Sequence, residues 1–147
     1  MTRVDFYQLS RDPVHDVVPR LAQLVMKAGE RLLIVANDEA LLKRLSDALW
    51  AAGDGAFLAN GMASGEHADR QPILLSTQCD AANGAKMALL ADGKWREEAE
   101  RFARVLLTFD ADATDAARNL WRALDQRGDI DNRIHKQTPQ GGWREGR

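Results

Sequence analysis

Apolar residues along the chain come in two patterns: short continuous runs, and positions recurring every three or four residues. Val4 to Leu9 alternates weakly and carries Val, Phe and Tyr, which predicts a strand that Asp12-Pro13 then breaks. Val14, Val17, Val18, Leu21, Leu24, Val25 and Ala28 follow the spacing of one helical face. Pro13 and Pro19 either sit in the first turns, where a missing N–H costs least, or Pro19 delays the start to about Val18. Gly29 follows the last periodic residue and supplies the stop.

Arg31 to Ala36 then contains Leu32-Leu33-Ile34-Val35-Ala36, a run without alternation that suits a strand covered on both faces. Asn37-Asp38 is positioned to cap a second helix with apolar residues Leu41, Leu42, Leu45, Ala48 and Leu49, ending near Ala51-Ala52-Gly53. A strand–helix–strand–helix opening predicts parallel pairing with right-handed crossovers. Phe57-Leu58 is a short apolar piece, and Asn60 to Arg70 reads as a loop. Gln71 to Ser76, Lys86 to Ala91 and, most clearly, Arg104 to Phe109 are further strands. A last helix spans about Ala113 to Gln126. The fold class is α/β, a three-layer domain over residues 1–128 with a mainly parallel sheet flanked by helices. Residues 129–147 form a polar C-terminal arm packed on or near the last helix.

Composition narrows the function. The 147 residues carry 20 Lys and Arg against 22 Asp and Glu, a net charge of −2, which argues against a dedicated duplex-DNA binder. The single Cys79 excludes an internal disulfide framework and a cysteine-rich zinc site. No window is long and apolar enough for a membrane span, and the first residues lack a signal-peptide core. The expected setting is the cytoplasm.

An α/β sheet invites a nucleotide, so the turns after the strands are the first test. The turn after the first strand, Ser10-Arg11-Asp12-Pro13, has no glycine and places a carboxylate where a phosphate would sit. Gly93-Lys94 is followed by Trp95 rather than Ser or Thr, and Gly61 and Gly65 lie in the predicted loop. A nucleotide-binding protein or enzyme of unknown substrate stays as the alternative, on fold analogy alone. No catalytic residue is assigned: Cys79 precedes Asp80, but His15, His67 and His135 stand apart in sequence and read as surface imidazoles. No cofactor or metal site is expected either. The acidic group Asp110, Asp112 and Asp115 reads as charge complementing a helix N-terminus.

The last helix says more. At about 100° per residue, Ala113, Ala117, Leu120 and Leu124 form one stripe, with Trp121 at its border and Arg118 and Arg122 just beyond. That edge sets a large apolar plate beside two guanidinium groups and suits a ligand carrying both a carboxylate and an apolar group. The structural account of the same edge is an indole covering the core, with one arginine paired to Asp115 or Asp125. A second feature is Trp50, one residue beyond Leu49 and turned away from that helix's core face, seven residues before Phe57.

Taken in order, these pieces resemble the chi subunit of bacterial DNA polymerase III. They are Phe6-Tyr7-Gln8-Leu9, Gly29-Glu30-Arg31-Leu32-Leu33-Ile34, Leu45-Ser46-Asp47-Ala48-Leu49-Trp50 with Phe57, Arg104-Val105 with Phe109-Asp110, and Arg118, Trp121 and Arg122. The resemblance implies a Rossmann-like, non-catalytic replication adaptor of the holoenzyme. It implies that Arg118, Trp121 and Arg122 bind the acidic C-terminal tail of the single-stranded-DNA-binding protein, which ends in Pro-Phe. It further implies that Trp50 and Phe57 pack on the psi subunit of the clamp loader, with nucleic acid met only indirectly and no membrane. Three positions depart from the family's pattern: Trp121 where Tyr is frequent, Thr114 at a basic position, and Ala59-Asn60 in place of Pro-His.

Overall fold

The computed structural model describes residues 2–52 and 58–146. Eight strands form one sheet in the order β3-β4-β2-β5-β6-β1-β7-β8. They are β1 (Thr2–Gln8), β2 (Leu32–Val35), β3 (Asn60–Met62), β4 (Ile73–Ser76), β5 (Met87–Leu90), β6 (Arg104–Phe109), β7 (Ile130–Gln137) and β8 (Trp143–Gly146). Every neighbouring pair is parallel except β7 with β8. Helices α1 (Val14–Lys27) and α2 (Glu39–Trp50) pack on one face through Val17, Val18, Leu21, Leu42, Leu45 and Leu49. Helix α3 (Thr114–Asp125) packs on the other through Ala117 and Leu124. The alternation within β2 shows why its run has no polar member: Leu32 and Ile34 face α1 and α2, while Leu33 and Val35 face the opposite layer.

Helix α1 starts at Val14 with Pro13 as its N-cap, so Pro19 sits inside the helix and does not delay it. At its end the Glu30 N–H donates to the Val25 carbonyl at 3.2 Å and the Gly29 N–H to Met26 at 3.0 Å. This double closure needs a left-handed residue, and Gly29 has φ +78. Leu24, expected on the core face, is 59% exposed. Val25 points at the sheet, and the step of about 100° turns Leu24 onto the flank. Asp38 caps α2, accepting the Ala40 N–H at 2.9 Å.

Two predicted stretches differ. Asn60 to Arg70, read as a loop, begins with the edge strand β3, so Gly61 is a strand residue. The segment beyond residue 129 carries β7, which pairs with β1 along its length from Thr2–Ile130 to Gln8–Lys136, and the hairpin partner β8. Among the described residues no helix is long and apolar enough to cross a membrane.

Candidate functional site

The carboxyl ends of β6, β1 and β7 lie side by side, and α3 crosses the face that carries Phe109, Phe6 and Ile134. The turn into α3 is set by Asp110, whose carboxylate accepts the N–H groups of Asp112 at 3.0 Å and Ala113 at 3.2 Å. This local bonding accounts for Asp110, the first member of the acidic group. Burial of Ala117 and Leu124 fixes the roll of the helix. Trp121 is then half-buried, and Arg118 and Arg122 are exposed.

The indole of Trp121 meets Phe6 edge-on, with centroids 5.2 Å apart and planes at 60°. Phe6 in turn meets Phe109 at 6.5 Å and 75°. Asn132 of β7 donates its Nδ2 to the Trp121 carbonyl at 3.1 Å, tying strand to helix. Between them opens a cavity of about 320 Å³. Phe6, Phe109, Ile134 and Ala117 give it apolar lining, Trp121, Arg118 and Arg122 come from the helix, and Gln8, Thr114 and Lys136 complete it. Arg118, Trp121 and Arg122 are therefore brought to one pocket. No ion pair among the described residues engages either arginine, so the pairing with Asp115 or Asp125 is not formed. Thr114 is hydrogen-bonded back to the Asp110 carbonyl at 3.4 Å. The arrangement can accept an apolar group into the cavity and a carboxylate at its arginine edge.

The strand side of this pocket was missed in sequence. Ile134 and Lys136 sit in a stretch that looks like a polar arm, because only every second residue of β7 faces α3. The alternation Ile130, Asn132, Ile134, Lys136 is the signal that could have found them. Gln8 lies opposite Lys136 in the register.

Trp50 closes α2 and is 52% exposed. Phe57 lies outside the described residues.

A wider crevice of about 700 Å³ opens at the turn after β1, lined by Ser10 to His15, Arg44, Asp92 and Asp110 to Ala111 among others. Its phosphate-like position is already taken. The Gln137 Oε1 accepts the consecutive backbone N–H groups of Ser10, Arg11 and Asp12 at 3.1, 2.9 and 3.1 Å. Asp12 is bonded by Arg20, which with Arg11 and Gln137 holds its carboxyl below the usual range despite the opposing cost of desolvation. Gly93 also has a local duty: at φ +72 it makes the turn after β5, and a Cβ there would come within 3.0 Å of the Thr108 carbonyl.

His135 corrects the reading of three surface imidazoles. It is stacked on Tyr7 at 4.5 Å, and its Nε2 lies 2.8 Å from Asp5 Oδ1. Asp5 is fully buried and also takes Arg3 at 2.9 Å and Arg104 at 2.8 Å. Burial pushes the Asp5 carboxyl up, but the hydrogen bonds from Arg3 and His135 and the Arg104 charge outweigh it and hold the group low. Cys79 is buried, and desolvation pushes its thiol up, away from the reactive thiolate. Among the described residues no three His, Cys, Asp or Glu side chains converge as metal ligands.

Comparison with curated proteins finds no match. The family model of the DNA polymerase III chi subunit, HolC, matches residues 1–130, which include all of the fold but the β7–β8 hairpin. With most of the sequence covered by that one description, the chain belongs to the chi subunit family and is an accessory subunit of DNA polymerase III.

Proposed function

We propose that this subunit is a non-catalytic adaptor that binds the acidic C-terminal tail of the single-stranded-DNA-binding protein and links it, through psi, to the clamp loader in the cytoplasm. The observation that carries the reading is the cavity of about 320 Å³ beside two exposed arginines that no carboxylate engages among the described residues. A tail ending in Phe brings an aromatic ring and a free carboxylate on the same residue. The ring enters the cavity beside Trp121, against its Phe6, Phe109 and Ile134 lining, and gains about 1.5–3 kcal/mol from burial. Arg118 and Arg122 take the carboxylates by charge-assisted hydrogen bonds, which set the orientation. Exposed charge pairs are screened, so affinity falls with added salt.

The psi contact is assigned to Trp50 at the end of α2, with Phe57 as its second residue by family resemblance. An indole 52% exposed at the end of a helix suits a partner's apolar side chains.

The test is fluorescence anisotropy of a labelled acidic peptide ending in Pro-Phe. Saturable binding to the wild type, lost in Trp121→Ala and Arg118→Ala and weakened by salt, supports the reading. Absence of wild-type binding, or binding indifferent to both substitutions, overturns this site.

A further inference from the structure

The described cations outside ion pairs are not spread evenly around the pocket. On the α1 side of the sheet edge, Arg133 is answered by Asp131 at 3.2 Å and Glu145 at 3.8 Å, while Arg3 and Arg104 are answered by Asp5. On the α3 side, Lys136 of β7 reaches the cavity and is exposed. Arg144 of β8 is its direct antiparallel partner and is exposed too. Side chains at paired antiparallel positions lie on the same face, with Cβ atoms about 4.5–5.5 Å apart. Glu145, next in sequence, points to the other face, as its pairing with His135 requires. No ion pair among the described residues uses Lys136 or Arg144.

We infer that Lys136 and Arg144 form a cationic ledge that continues the α3 pocket and holds the acidic residues preceding the tail's last two. The inference rests on the proposed function and adds a direction to it. The terminal residue sits at the Trp121 cavity, and the chain leaves across β7 and β8. The ledge presents two positive charges and no aromatic ring between them, so it suits carboxylates spaced along an extended peptide better than stacked bases. Both residues lie beyond the stretch matched by the family model.

The experiment uses the full chain and two labelled peptides of equal length ending in Pro-Phe, one with upstream aspartates and one with asparagines in their place. Lys136→Gln and Arg144→Gln are each expected to weaken the acidic peptide by about twofold to fivefold at low salt, the range of exposed ion pairs. The double variant should flatten the salt dependence. Arg144→Gln, outside the cavity lining, should leave binding of the asparagine peptide unchanged, which a merely structural effect would weaken equally. If Trp121→Ala abolishes binding while the Gln variants bind the acidic peptide as the wild type does, the ledge is overturned and the pocket stands. If the wild type binds neither peptide, both fall. Should the Gln variants lose affinity for a single-stranded oligonucleotide and keep it for the peptide, the ledge is a nucleic-acid contact and the inference is overturned.

Discussion

The carboxamide of Gln137 closes a ring of hydrogen bonds with Asp12: its Oε1 accepts the Asp12 backbone N–H at 3.1 Å while its Nε2 donates to Asp12 Oδ2 at 2.9 Å. The same oxygen holds the N–H groups of Ser10 and Arg11, and the Ser10 hydroxyl donates to the Gln137 carbonyl at 3.0 Å. One buried side chain therefore fastens the β7–β8 hairpin to the turn that starts α1. Gln137→Ala leaves three backbone donors short of a partner and is expected to cost about 1–3 kcal/mol. Urea denaturation of the two proteins checks this; a midpoint unchanged by the substitution contradicts it.

That plug also bears on nucleotide binding. In dinucleotide-binding folds the N–H groups after the first strand face a pyrophosphate. Here they face an amide oxygen, with the Asp12 carboxylate adjacent. Addition of nucleoside mono-, di- or triphosphates is therefore expected to leave the thermal midpoint unchanged. A ligand bound at one hundred times its dissociation constant would stabilise by about 2.7 kcal/mol, a shift easily seen in a melting curve.

The strands that sequence revealed are those whose two faces are both buried. Leu32 to Val35 is wholly apolar, and Val105 to Phe109 is apolar but for Thr108, because both stretches are buried on either face. β7 carries Asp131, Arg133 and His135 on a face where ion pairs substitute for a helix, and that chemistry hides the strand from any hydrophobic pattern. The same contrast splits the pocket. Its α3 half follows from helical periodicity, whereas Phe6, Ile134 and Lys136 meet it only because β1 and β7, more than a hundred residues apart, are neighbours.

Gly29 separates conformational from steric cost. A Cβ built there meets nothing within 4 Å, yet the residue holds φ +78. Gly29→Ala is expected to destabilise by about 1 kcal/mol through the left-handed backbone alone. Side-chain packing plays no part, so chemical denaturation is the direct check; a neutral or stabilising result would mean the end of α1 rearranges.

Asp5 connects stability to pH. Its folded carboxyl is held below the usual value, so by linkage the group adds stability above the unfolded pKa of about 3.9 and loses it as pH falls through the folded value. Asp5→Ala removes the shared partner of Arg3, Arg104 and His135 and is expected to cost about 3 kcal/mol near neutrality. The deficit relative to wild type should shrink below about pH 4, because the wild-type carboxyl then also loses its charge. Urea midpoints of both proteins at pH 7, 5 and 3 decide the matter (each pH chosen relative to that unfolded value of about 3.9). A deficit that stays constant down to the lowest pH would assign the cost to packing beneath Tyr7 rather than to the charge.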